Sequence, residues 1–173
     1  MDINHLLKDK STKATQKREQ ISNAIESNQV TLGKIKTVDI DDKGVGIILE
    51  AMEAVSRLNA EIADIEWLNY AGAHIASNSN TVKREASRVV GNIAYLFPDS
   101  LSDTVQKLLK NINNDSTVVR WGSAYALGRI ILIPRYANSE LFDMLVDLVE
   151  QETQNGVKNQ YLTGIKKAKQ LRK

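Results

Sequence analysis

The 173-residue chain has no cysteine, which excludes disulfides and thiolate-ligated zinc and fits a reducing compartment. It has only two prolines, and aromatic residues make up 5% of it. A β-sandwich draws on aromatic and β-branched residues, so this scarcity argues against one. Long apolar runs are missing too. The longest, Ile130 to Pro134, falls far short of the roughly 20 residues that cross a bilayer. Leu6 and Leu7 are followed at once by Lys8 and Asp9, so Met1 to Lys13 does not read as a signal peptide. The expectation is a cytoplasmic protein with no membrane partner.

Catalytic signatures are equally scarce. The two histidines, His5 and His74, lie far apart, and neither belongs to an H-E-x-x-H motif. No nucleophile elbow, Walker loop or G-x-G-x-x-G run is present. Gly44-Val45-Gly46 reads as a helix start, and Asp39, Asp41 and Asp42 lack the spacing and closing Glu of an EF-hand. No enzyme activity, metal or cofactor is expected.

What the chain does hold is abundant Ala, Leu, Lys, Glu and Gln, which favour helix, and a concealed repeat. At a shift of 37, Val82, Lys83, Val90, Gly91 and Ile93 fall on Val119, Arg120, Leu127, Gly128 and Ile130. Val105, Leu108, Leu109 and Ile112 fall on Phe142, Leu145, Val146 and Val149 by the same shift, and on Leu68, Ala71, Gly72 and Ile75 one step back. A shift of 38 carries Val119, Arg120 and Leu127 onto Val157, Lys158 and Ile165. Within each half the apolar residues recur at helical steps. The spacing predicts helix pairs 60–77 with 80–97, 99–113 with 116–133, and 138–154 with 156–172. A further helix is predicted near 43–58 and another over Ser11 to Ser27. Ser100 with Asp103 resembles a capping box. The stretch from Asn28 to Asp42 shows no clean period.

Asp115, followed by Val119-Arg120 and then Ala124, Ala126, Leu127 and Ile130, resembles the second helix of a HEAT repeat. The resemblance covers residues 60–173, with Lys83 and Lys158 standing where the Arg recurs. It implies an all-α, right-handed superhelical solenoid in one domain, with residues 1–42 as an N-terminal cap and 43–173 as helical repeats. It also implies that second helices line a concave side, and that the surface binds a partner without catalysis.

The charges divide between the two helix sets, although the formal total is only +2. Second helices carry Lys83, Arg84, Arg88, Arg120, Arg129, Lys158, Lys166, Lys167, Lys169, Arg172 and Lys173 against one acid, Glu85. First helices hold ten acids, from Glu61 to Glu152, against Lys107 and Lys110. On a helical wheel Trp121, Tyr125 and Arg129 turn away from the apolar arc of Val119, Ala126, Leu127 and Ile130. The repeat aligns them with Arg84, Arg88 and Asn92, and with Asn159, Thr163 and Lys167.

This strip of nine residues, with no acid on it, is the candidate partner-binding surface, suited to an acidic protein or peptide. Nucleic acid along the same strip, as in HEAT-like alkylation-repair proteins, is the alternative. Plainer roles compete: a solvated basic face, Trp121 as a wedge between helices, Trp67 as core, and Arg120 with Asp115 as a structural pair. Gly91 and Gly128 permit close helix approach, and the C-terminal lysines form a polar cap.

Overall fold

Side-chain oxygens start several of the helices. In the computed structural model, which describes residues 1–172, Asp41, Asp64, Ser79 and Ser139 each accept a hydrogen bond from a backbone N–H in the first turn that follows. Those donors have no partner within the helix. Eleven α-helices and no strand occur among the described residues: α1 (Ile3–Lys8), α2 (Ala14–Glu26), α3 (Leu32–Ile35), α4 (Asp42–Leu58), α5 (Ile65–His74), α6 (Asn80–Ile93), α7 (Ser102–Lys110), α8 (Thr117–Ile130), α9 (Pro134–Ala137), α10 (Glu140–Gln151) and α11 (Asn155–Ala168). Lys173, counted above with the basic residues of the last helix, lies outside the described residues.

The helix starts reproduce the repeat. α5, α7 and α10 begin at Ile65, Ser102 and Glu140, and α6, α8 and α11 at Asn80, Thr117 and Asn155. Both series step by 37 and then by 38. α6, α8 and α11 each contain 14 residues.

The boundaries differ from expectation where the chain turns. Ala60–Ile62 is a 3-10 turn, and α5 begins only after the Asp64 cap. α6 gives way to another 3-10 turn at Ala94, because a residue preceding proline, here Phe97 before Pro98, is pushed out of the helical region. Pro98–Ser100 form a third such turn. The start of α7 is therefore displaced to Ser102, its N-cap is Leu101 with no side-chain hydrogen bond, and the expected Ser100/Asp103 capping box does not form. Asn28 has φ 57 and follows the last turn of α2, a left-handed stop that asparagine tolerates. Beyond it the unassigned stretch folds into short α3, which buries Leu32 and Ile35. α1, which no pattern announced, is tied to α2 by buried Lys17, whose Nζ donates to the Leu7 carbonyl at 2.7 Å.

Packing puts the longer helices side by side. α2 lies on α4, α4 on α6, α6 on α8 and α8 on α11. α5, α7 and α10 lie behind, each against the helix that follows it. The seam between the two sets is apolar, with Leu68, Val82, Val89, Ile93, Leu108, Leu127 and Ile130 at 2% exposure or less; each contributes about 1.5–3 kcal/mol relative to exposure. No helix among the described residues is long and apolar enough to cross a membrane.

In the row α6–α8–α11 backbone meets backbone. A Cβ added at Gly164 would stand 2.7 Å from the Cα of Gly128, and one added at Gly128 would stand 2.7 Å from the Gln160 carbonyl oxygen. Gly91 lies under the Tyr125 ring, where a Cβ would come within 2.9 Å of the ring. The close approach expected of Gly91 and Gly128 is therefore present. By contrast, a Cβ at Gly46 would meet only the Thr81 methyl, at 3.6 Å.

Opposite outcomes follow for two chemically identical changes. Gly46→Ala should stabilise the fold by about 0.5–1 kcal/mol through helix propensity. Gly164→Ala should destabilise it by about 2 kcal/mol or more, because only backbone can yield. Urea midpoints of the two variants check this, and equal shifts of the same sign would contradict it.

Candidate functional site

The strip begins on α6. Glu85, wholly buried, is held between two guanidinium groups: Arg84 Nε donates to its Oε1 at 2.5 Å and Arg88 Nη1 to its Oε2 at 2.8 Å. Arg88 also reaches α4, where its Nη2 lies 2.7 Å from Glu53 Oε1. Arg57, one turn further along α4, stands 3.4 Å from that same carboxylate oxygen. Glu53 is itself 5% exposed. Both carboxylates are sheltered from water, and the arginines are what make their burial tolerable.

None of the nine strip positions is an acid, but Glu85 lies buried beside them, and α4, packed against α6, brings Glu50 and Glu53 next to the strip. A signal for this existed. Stepping back by 38 from Arg88 lands on Glu50, and α4 begins 38 residues before α6. The cleft between α2, α4 and α6, about 740 Å³, is lined by Glu50, Glu53 and Glu85 together with Arg18, Arg57, Arg84 and Arg88. Burial, seconded by the neighbouring Glu85 charge, raises the Glu50 carboxyl above its ordinary value against the pull of Arg18, Arg84 and Arg88.

The middle of the strip is a connected polar and aromatic network. Asn92 donates to Ser56 Oγ at 3.1 Å and accepts from the Tyr125 hydroxyl at 2.6 Å. Trp121 stacks on Tyr125 with centroids 5.3 Å apart, and the Arg88 guanidinium stands 6.0 Å from the Trp121 ring. Arg129 lies over the other ring, 3.4 Å from the Tyr125 centroid. Tyr125 does not turn away from the core as the wheel suggested. It is 7% exposed, because the missing side chain at Gly91 lets the ring settle onto α6. Trp121 is half-buried, at the edge of the same network. Trp67 is core, at 6%.

From Arg129 onward the strip's cations are not paired with acids among the described residues. Arg129 is exposed, and among the described residues it has no carboxylate partner. Asn159, Thr163 and Lys167 are exposed on α11, the next helix of the row. The structure thus joins Arg88, Asn92, Trp121, Tyr125 and Arg129 through direct contacts, links Arg84 to them through Glu85, and sets the other three on the adjacent helix.

Arg120 belongs to the framework. Its Nη1 donates to the Asn114 and Asp115 carbonyls at 2.8 and 3.2 Å, and its Nε donates to Glu152 Oε2 at 3.0 Å. Its carboxylate partner is therefore Glu152, not Asp115. Burial raises the Glu152 carboxyl, but hydrogen bonds from Arg120 and from the Gln154 and Thr153 backbone outweigh it and leave the group below its ordinary value. His74 packs edge-on against Tyr70, 4.6 Å between centroids. Among the described residues no group of three or more His, Asp or Glu side chains is placed to hold a metal ion.

No model of a known protein family matches the chain, and no curated protein matches it in sequence. Two solved structures resemble it along their whole length, both crystal structures of engineered proteins from the Northeast Structural Genomics Consortium. One is 15% identical, with 99% of this chain and 98% of that one covered and a TM-score of 0.55. The other is 14% identical, with 98% and 99% covered and the same TM-score. At such identity the likeness concerns the fold alone.

Two outcomes test the charge network. Arg88→Ala should cost about 3 kcal/mol, since it withdraws a cation from two buried carboxylates, and a urea midpoint unchanged from wild type would contradict the network. For Glu50 the folded-state carboxyl holds its proton to higher pH than the unfolded one, so ionisation opposes folding and stability is recovered as pH falls through the raised value. Glu50→Gln should therefore raise the Tm at neutral pH, with a gain that shrinks on acidification. Circular dichroism melts across the acid range read this directly.

Proposed function

We propose that the chain is a non-enzymatic interaction module, a short HEAT-like α-solenoid whose row of second helices holds an acidic segment of a partner protein. The helix starts stepping by 37 and 38 and the side-by-side packing of α4, α6, α8 and α11 support the repeat reading. The observation that carries the functional reading is the uneven spending of charge along the row. Arg84 and Arg88 are consumed by Glu53 and Glu85. Arg129 and Lys167 are exposed, with no acid among the described residues to neutralise them. An acidic ligand supplies what that end of the row lacks.

The same facts weigh against nucleic acid as the ligand. Extended phosphate binding uses many unpaired cations, and two of the strip's arginines are already paired within the protein. Base stacking needs open aromatic faces, whereas Tyr125 is buried and carries Trp121 and Arg129 on its ring.

Arg129→Glu combined with Lys167→Glu tests the proposal: Lys167 is a surface group, and losing the Arg129 stack on Tyr125 should cost about 0.5–2 kcal/mol, too little to unfold the chain. In affinity capture from native lysate the double variant should lose the acidic proteins retained by wild type, with helicity unchanged and only a modest fall in melting temperature. Equal capture by both would refute the surface. Retention of DNA at low salt that falls steeply towards physiological salt would transfer the row to nucleic acid.

A further inference from the structure

The C-terminal ends of α4, α6 and α8 enclose a groove of about 710 Å³ whose character differs from the rest of the row. Its walls are apolar, formed by Leu58, Tyr95, Pro98, Leu132, Ile133 and Pro134. Leu58 is 74% exposed, the most of any large apolar side chain among the described residues, and Tyr95 is 54% exposed. Single exposed apolar residues are ordinary, but these two converge on one cavity. Tyr95 is held there by its hydroxyl, which donates to Glu61 Oε1 at 2.8 Å.

The groove's two charged lining residues are both cations, Arg57 and Arg129. The Arg57 side chain is 55% exposed and only loosely tied to Glu53, at 3.4 Å. Arg129 is stacked on Tyr125 and donates from Nη1 to the Tyr125 carbonyl at 3.4 Å, which fixes its place while leaving its other N–H groups available. The polar floor satisfies itself: Tyr125 donates to Asn92, and Asn92 donates to Ser56. A ligand rich in hydrogen-bonding groups, such as a nucleobase, therefore finds little to pair with there. A side chain of pure hydrocarbon flanked by carboxylate finds both its needs met.

We propose that this groove docks a short peptide segment of a partner protein in which bulky aliphatic or aromatic residues lie beside acidic ones. The apolar residues would fill the space between Leu58, Tyr95 and Leu132, and a carboxylate would pair with Arg129 and Arg57. This rests on the reading of the row as an acceptor for acidic protein and adds an apolar requirement to it. A groove that buries apolar anchors and takes its polar contacts at the rim has the usual form of a peptide-recognition site.

Three fluorescein-labelled hexapeptides, measured by fluorescence anisotropy on the whole chain, separate the components. The first alternates three acidic residues with three drawn from Leu and Phe, the second has Ser at every apolar position, and the third has Asn or Gln at every acidic one. The first should bind saturably, and the other two at least about ten-fold more weakly, the scale expected for losing one buried side chain or one charge pair. Leu58→Ser with Tyr95→Ser, both exposed positions, should weaken the first peptide by a similar factor and leave the second unchanged.

Equal binding of the first and second peptides would overturn the groove while sparing the acidic-partner reading. Equal binding of the first and third would overturn both. Undiminished binding of the first peptide to the Leu58/Tyr95 variant, or no binding of that peptide to wild type, would overturn the groove.

Discussion

The spacing of the helix row rests on places where backbone meets backbone. Gly128 faces Gly164 with no side chain between them, and Gly91 accepts the Tyr125 ring onto the bare surface of α6. Interiors are close-packed and transmit displacement, so a methyl group at such a crossing cannot be absorbed locally. What these contacts secure is register. The 2.6 Å bond from Tyr125 to Asn92, the stack of Trp121 on Tyr125 and the seat of Arg129 above the ring all require α8 to lie close against α6. If the helices stood further apart, the strip would be a set of unrelated surface residues.

Electrostatics divides that strip into two regimes. At the α4–α6 end, Glu53 and Glu85 are buried and hold Arg84 and Arg88 in an internal network. Such pairs do little for net stability because desolvation offsets their attraction, but they are unforgiving if one partner is removed. At the α8–α11 end Arg129 and Lys167 face water, and exposed cations cost nothing to leave unpaired. A nearly neutral chain thus keeps one structural cluster and one available cationic region on the same row. The apolar groove lies where they meet, with Arg57 contributed by one and Arg129 by the other.

The repeat was legible because it is written twice, in the apolar positions of both helices of each pair, and 37- and 38-residue steps govern the helix starts. The helix ends were less legible. Pro98 and the 3-10 turns around it move the start of α7 past Ser100, a competition between local turn geometry and capping that composition does not decide. α3 was hidden because it is too short to display a period, and α1 because it is also brief, held by buried Ile3, half-buried Leu6 and Leu7, and the Lys17 bond to the Leu7 carbonyl.

By itself the sequence determined that the chain is helical, that its helix pairs recur every 37 or 38 residues, and which side chains recur at equivalent positions along a row, since periodicity is a property of the chain alone. It also identified five residues, Arg88, Asn92, Trp121, Tyr125 and Arg129, that come into contact across two helices. The tertiary structure alone decided the states of the strip residues: that Arg84 and Arg88 are spent on buried carboxylates, that Tyr125 is core, and that Arg129 is left without a carboxylate partner among the described residues. Burial and pairing depend on what the neighbouring helix presents at a given height. Glu53 lies 35 positions from Arg88 in the chain and 2.7 Å from it in space, and that separation is set by helix packing, not by any pattern within either helix.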